Sequence, residues 1–586
     1  EDLSDWMSYH DNEEDQWLSF GAAIYIKNCD SLIVRDCLVN EGQCALMITS
    51  SDYGLIYNNN FSFNSAIGIG MYRSSFNRVM HNKLDWNVRG YSHGIYRRGQ
   101  DSAGILVYEQ CTDNIFAYNS ATHSGDGFFL WAGNSTMDSG EGGCNRNIIY
   151  RNDFSHAPTN GVEVTFSSNK IIENLLNDCR YGIWGGYSYS TEMKGNQIKN
   201  NEFGIAIEHG QDNIIESNYF SGDSIGIQLW ERATQPAGWG FARKRNVESK
   251  NYSILNNKLD VITPFHINST SEIQITGNEI VNGDRSIAGK GNIGLEVQHA
   301  EDVLELLASK LNSSNLIPGN NPDIPMISDG MNPFLPATHP RGVKYILMNE
   351  WGPYNFKYPA IFLSHIEEEK MTLSLFGPEG NWKVVNSEGF SNINPTTGSF
   401  PSQISALRIE NANSFSLHVE FIGASFTDQL GIEHERGVPY TLQFKKYIHD
   451  LNWQVIWCDY PERLNPINDY DAFKELKERN ISMRKTVKEL AFRWWRGPGE
   501  GIHPDRFASF AEASSEFEKG VYRIQITSDD GLRFYVDGAL KIDHWDIHVP
   551  ATDEIEIELD GSHHFEIHHF EGGGLATLDF RMEKVE

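Results

Sequence analysis

No run of this 586-residue chain is long and apolar enough to read as a membrane-spanning segment. Cysteine is scarce. Seven residues, at positions 29, 37, 44, 111, 144, 179 and 458, show no C-x-x-C or other metal-ligand spacing, and their odd number excludes complete intramolecular pairing. Most read as small buried hydrophobes. Positive charge is also short: 48 Lys and Arg stand against 79 Asp and Glu, a net charge of -31. That balance opposes nucleic-acid backbones and disfavours polyanionic ligands unless a local basic patch compensates. Neither G-x-S-x-G nor H-E-x-x-H occurs, so a serine-triad or zinc-hydrolase reading has no support. No leader-like pattern opens the chain, which begins acidic and Trp-containing. The first residues thus read as those of a processed or truncated form, and export rests on architecture.

What is plentiful points to strands and tight turns. Glycine numbers 52, asparagine is abundant and aromatic residues make up 12%, favouring an all-β protein of three or so domains. A unit of Gly, an apolar-x-apolar strand, an Asn and a second strand recurs, as in IGIGMYRSSFNRVMHNKL (67–84), AGILVYEQCTDNIFAYNS (103–120) and FGIAIEHGQDNIIESNYF (203–220). Gly161 to Gly182 spans 21 residues, and Gly204 and Gly226 follow at 22 each. That spacing suits one coil of a parallel β-helix, in which alternate strand residues fill a cylinder and Gly and Asn make the corners. Two intervals are longer, 36 residues from Gly68 to Gly104 and 34 from Gly127 to Gly161. Loops are therefore expected at about 89–102 and 133–143, with a third at 231–246.

Across residues 20–283 this pattern resembles the pectate-lyase-like superfamily of right-handed parallel β-helices. The resemblance implies a polysaccharide lyase, glycoside hydrolase, uronan epimerase or NosD-type protein, in a secreted, periplasmic or cell-surface setting. The expected organisation is a β-helix over 1–299, a capping helix (300–314) and linker to 340, a β-sandwich over 341–447 and a final domain over 448–586. The last of these resembles the protective-antigen-type β-sandwich, through AFRWWRG (491–497), GVYRIQITSDDGLRFYVDGALKIDHW (520–545) and GSHHFEIHHFEGGGLATLDFRME (561–583). In glycan-binding members of that family the paired aspartates, here Asp529 and Asp530, sit at a calcium site. The run HHFEIHH (563–569) alternates as a strand, with its histidines expected to face out.

Counting each coil from its Gly, positions +1 and +3 point inward and +2 and +4 outward. The outward rows carry Tyr72, Tyr108, Trp131, Trp184 and Trp230, a platform on which the C–H faces of sugar rings pack, with His209 beside it. Glu163 and Glu208 lie two coils apart on these rows, about 10 Å axially and about 7 Å laterally by strand geometry. Asp126 precedes its Gly one coil from Glu163. These three are the candidate catalytic acids, since glycoside hydrolysis needs one protonated and one ionised carboxyl. Asp101, Glu109 and Glu231 rank behind them. Arg97, Arg98, Arg180 and Arg232 form the only local basic patch, and are expected to pair with neighbouring carboxylates. The expected function is a glycoside hydrolase, monomeric, acting on a polysaccharide or oligosaccharide, needing no cofactor for catalysis and carrying calcium in its last domain. A lyase or epimerase, and a non-catalytic adhesin or NosD-like factor, are the alternatives.

Overall fold

The computed structural model describes residues 22–89, 102–233, 235, 239–282, 286–299, 340–349, 351–367, 369–410, 412–449, 451–494, 497–499, 501–503, 505–548, 550–573 and 576–585. Asp101, Arg97, Arg98, most of the loop expected at 89–102, the capping helix and nearly all of the linker lie outside these residues. The chain forms two compact units, which part between Tyr354 and Asn355.

The first unit is the parallel β-helix. Ten parallel strands make one face, from Ala22–Lys27 through Ile67–Tyr72, Asp126–Trp131, Asn160–Val164 and Phe203–Glu208 to Thr263–Ile267. Three-residue strands such as Arg78–Met80, Ile148–Tyr150 and Ile214–Glu216 build the second face. Leu175–Asn177, Gln197–Lys199 and Tyr219–Ser221 build the third, and isolated bridges from Leu38 to Asp153 stand in for it in the earlier coils. Ile105, Phe128, Val162, Ile183, Ile205 and Ile227 stack in register and are fully buried in one continuous core. Five of the seven cysteines are buried, and no disulfide joins any of them.

The corner after the second face shows why the coil repeats. His81, Tyr118, Arg151, Glu173 and Ser217 all take positive φ there, a costly conformation for residues with a Cβ. Each is followed by a buried Asn, at 82, 119, 152, 174 and 218. The amide of Asn152 is typical: Nδ2 donates to Asn174 Oδ1 at 3.0 Å and to the Phe116 carbonyl at 2.9 Å, while Oδ1 accepts from Asn119 N and Nδ2, both at 2.9 Å. Every donor and acceptor of the buried amide is satisfied, and the bonded chain runs coil to coil. The ladder step is 22 residues between regular coils and rises to 37, 33 and 39 where loops leave the cylinder, as the glycine spacing predicts. Glycine is required where the first face starts: a Cβ on Gly104 would lie 2.4 Å from that of Ala121, and one on Gly127 2.6 Å from that of Phe154.

The segment Arg341–Tyr354, expected to open the sandwich, belongs instead to the β-helix unit. Arg341 pairs with Asp153 at 2.9 Å, Gly342 N donates to His123 Nε2 at 3.2 Å, and Trp86 Nε1 donates to the Tyr345 carbonyl at 3.1 Å.

In the second unit, two four-stranded antiparallel sheets between Ala360 and Tyr447 form the expected sandwich. An eight-stranded antiparallel sheet follows, organised on the long paired strands Phe507–Asp529 and Ala551–Glu571. The histidine run lies on the latter, but His568 and His569 are buried, contrary to expectation. A second apolar layer of Phe473, Phe510, Trp545 and Phe570 covers the sheet at this end, so both faces of the strand are occupied there.

A parallel ladder, Cys179 to Asn201 to Asp223, ends on an acid where its neighbours have Asn. Asn201 donates twice to Asp223 Oδ1, whereas the buried Oδ2 has no partner, and burial pushes the carboxyl up to about 7. With the folded value above the unfolded one, stability is lost as pH rises through about 7. Asp223→Asn keeps the acceptor and supplies an N–H where Asn201 uses its own on the Leu176 carbonyl. It should stabilise the β-helix by roughly 1–3 kcal/mol at pH 8, with less gain at pH 5, as read by denaturant unfolding.

Candidate functional site

Two regions concentrate chemistry. On the first face of the β-helix, Asp126 is the opening residue of Asp126–Trp131 and is buried. Asn160 begins the next strand, and its backbone N–H donates to Asp126 Oδ1 at 2.8 Å while its side-chain Nδ2 donates to Glu163 Oε2 at 2.8 Å. One amide residue thus links the two acids. Glu163 is half-buried, in register between Phe129 and Trp184. The position before Gly127, Gly161, Gly182 and Gly204, which carries Asp126, Asn160, Tyr181 and Phe203, therefore joins the outer face: Tyr181 packs on Trp184 at 5.2 Å and stacks on Phe203 at 4.9 Å between ring centroids. Alternation alone missed this row. Its signal was the recurrence of polar and aromatic types immediately before the repeat glycine.

Glu208 is placed differently from expectation. Arg232 grips both of its oxygens, at 2.5 and 2.8 Å, and Trp230 Nε1 donates to it at 2.8 Å. Its side chain is 4% exposed, so this bidentate, charge-assisted contact holds Glu208 as a buried anion occupied by its own loop. His209 is likewise taken up. Nδ1 donates to the Val247 carbonyl at 2.7 Å, which leaves Nε2 to accept from Arg232 N at 2.8 Å, and burial lowers its pKa. Both residues clamp the loop that follows Trp230.

The aromatic rows divide in the same way. Tyr72 and Tyr108 are only 1% exposed, which corrects the expectation of an open ridge along its whole length. They stack on one another at 5.6 Å, and Tyr108 abuts Trp131 at 5.1 Å. Trp131 packs in turn on a cluster of Ala132, Phe166, Tyr187 and Phe241. That cluster forms where the short helices Asn134–Ser139 and Gly240–Lys244, from two of the expected loops, meet, with Arg245 Nε donating to the Gly140 carbonyl at 2.7 Å. Trp184 and Trp230 are half-buried and lie 5.6 Å apart. Of the remaining acids, Glu109 accepts from Ser135 and Glu231 accepts from Ser249 N at 3.0 Å. Arg180 pairs with Glu202 at 3.3 Å, as expected of an arginine on this face.

The other region is in the second unit. Asp529, Asp530 and Glu571 are buried and offer ligand oxygens within 4.8 Å of one another. Asp530 accepts from His548 N at 3.0 Å and from Gly572 N at 2.7 Å. Glu571 Oε1 accepts from Gly573 N, while its buried Oε2 has no partner. Burial, then repulsion from Glu571 and Asp530, pushes Asp529 up to about 9. Burial, reinforced by Asp530, pushes Glu571 up to about 8. Three hard oxygen donors around an orphaned carboxylate oxygen fit a calcium ion. Glu571 was not apparent in the sequence, because only the pairing of Leu532 with His569 and the bond from Phe570 N to the Gly531 carbonyl bring it beside Asp530.

Comparison with known proteins follows these two regions. The family described as the right handed beta helix region matches residues 139–300, the PA14 domain matches 470–584, and the periplasmic copper-binding protein NosD matches 8–160. Among the described residues of that last stretch no three His, Cys, Asp or Glu side chains converge on one point. No curated protein matches the chain. Similar solved structures include the PA14 domain of MpAFP antifreeze protein, 13% identical over 24% of this chain and 86% of that one, with a TM-score of 0.21. The PA14 sugar-binding domain from an RTX adhesin is 14% identical over 23% of this chain and 91% of its own, with a TM-score of 0.19. The epithelial adhesin 9 A domain of Candida glabrata, in complex with Galb1-4GlcNAc, is 12% identical over 23% and 82%, with a TM-score of 0.18. Parallel coils laddered by asparagine, followed by an antiparallel sandwich that matches the PA14 family, make this chain a right-handed β-helix protein with a C-terminal PA14 domain.

Proposed function

We propose that this chain hydrolyses a glycan on the outer face of its β-helix, with Asp126 and Glu163 as the acid–base pair and Trp184 and Trp230 as the sugar platform. The observation that carries the reading is Asn160, which hydrogen-bonds both acids beside the half-buried tryptophans. The Asn160 backbone N–H holds Asp126 Oδ1 in place, and the proposal gives this acid the role of activating water. Phe129 and Trp184 stand in register on either side of Glu163, and the proposal gives this acid the role of protonating the leaving oxygen. Glu208 acts one step back, setting Arg232 and Trp230 in place. Fold and partner domain support a carbohydrate role: β-helices are common among glycan-active proteins, and one similar PA14 structure is described as sugar-binding. A setting outside the cytoplasm and a monomeric state complete the proposal. A lyase or epimerase would need a cation facing a uronate, and of the four arginines expected there the two among the described residues, Arg180 and Arg232, are ion-paired.

Asp126→Asn and Glu163→Gln should each lower release of reducing ends by about 10²–10⁴-fold. Glycan binding should persist in both variants and weaken in Trp184→Ala. Unchanged rates in both acid variants would move the face to a binding role, and an ultraviolet-absorbing unsaturated product would make it a lyase.

In the PA14 domain the same proposal places calcium on Asp529, Asp530 and Glu571. The folded carboxyls of Asp529 and Glu571 titrate near 9 and 8, above their unfolded values, so the metal-free domain loses stability as pH climbs toward that range. Calcium must displace these protons, and its affinity should rise from pH 6 to pH 9. Calorimetric titration of the full chain checks this. A pH-independent affinity, or an Asp530→Asn variant that binds equally well, would refute the site.

A further inference from the structure

The turn after the strand Ala539–His544 reads His544-Trp545-Asp546-Ile547-His548. Trp545 anchors it: its ring is buried against Phe473 and Phe570, and Nε1 donates to the Pro466 carbonyl at 2.9 Å. With the tryptophan pinned inward, Asp546 turns toward solvent, while His544 and His548 are half-buried and His548 Nε2 is shielded. The imidazoles of His544 and His548 stack at 3.9 Å between centroids, with 23° between their planes. His544 Nε2 lies 3.5 Å from Asp546 Oδ1. One ligand atom from each of the three residues falls within 4.8 Å of the others.

We propose that His544, Asp546 and His548 bind a divalent transition-metal ion of the zinc type, at a site separate from the carboxylate cluster. Two imidazole nitrogens and one carboxylate are the donor set such ions prefer, whereas calcium takes oxygen. Tetrahedral bonds of about 2.0–2.1 Å place ligand atoms roughly 3.4 Å apart, which small side-chain rotations reach from the present spacing. His544 is already oriented for the task. Its Nδ1 contacts Asp553 Oδ2 at 2.9 Å, the outer carboxylate that fixes a ligand histidine's tautomer and directs Nε2 outward. The Asp546 side chain is 64% exposed, which leaves further coordination positions open to water or to a ligand oxygen. The backbone N–H of His548 donates to Asp530, so the turn is tied through its main chain to the acid cluster.

The test uses the full chain in excess calcium, dialysed against zinc, with bound metal counted by atomic emission and geometry read from the visible spectrum of the cobalt form. Wild type should hold one more equivalent of zinc than His544→Gln/His548→Gln, and the tetrahedral cobalt bands should vanish in that variant. Asp553→Asn, a positioning change, should weaken zinc binding about 10–100-fold without removing a ligand. Asp529→Asn should leave the zinc equivalent in place. Far-ultraviolet circular dichroism establishes that each variant is folded. Equal zinc in wild type and the double histidine variant, or loss of the zinc equivalent in Asp529→Asn alone, would overturn the proposal.

Discussion

The asparagine ladder is the constraint on which the β-helix depends. A coil of about 22 residues must turn sharply, and at the ladder corner it does so through a residue at positive φ. The strain is sustained because the next residue buries an amide whose two N–H groups and two lone pairs are all used, coil after coil. The bonds run along the axis, so each coil fixes the register of the next. Loops of different lengths can therefore leave between ladder positions without disturbing the ladder.

That tolerance is what builds the functional face. The helices at 134–139 and 240–244 arise on different coils yet pack together, because the ladder holds their bases in register. Their union buries Phe166 and packs against Trp131, which like Trp184 and Trp230 remains half-buried. Along the strands the same register sets Asn160 between two acids. Its backbone serves one, its side chain the other, and the pair shares one point of reference.

Much of this was legible in sequence, for identifiable reasons. Glycine intervals gave coils, faces and insertion points, since a Cβ at Gly104 or Gly127 would collide with the third face. The ion pair of Glu208 with Arg232 was hidden because it depends on how a loop folds back over its own strand. His209 beside Glu208 looked available for a ligand for the same reason. Alternation failed for His568 because a second apolar layer covers the outer side of its strand, whereas His569 shares the parity of Phe565 and Ile567 and is buried on their side, against Trp494 and Phe507. Glu571 joined Asp529 and Asp530 only through long-range pairing, which no local pattern encodes.

The two units use acidic groups in opposite ways, and this bears on function. In the PA14 domain three carboxylates are buried together with an orphaned oxygen, a grouping that favours neutral forms until a cation arrives. On the β-helix face each acid is given its own partner: backbone amide for Asp126, side-chain amide for Glu163, guanidinium for Glu208. Asp126 is buried against a peptide N–H, while Glu163 is half-buried between two aromatic residues in register. Two carboxyls referenced to one asparagine beside half-buried tryptophans are the arrangement on which the proposed acid–base pair rests. It is the physical ground for reading this face as a site of reaction.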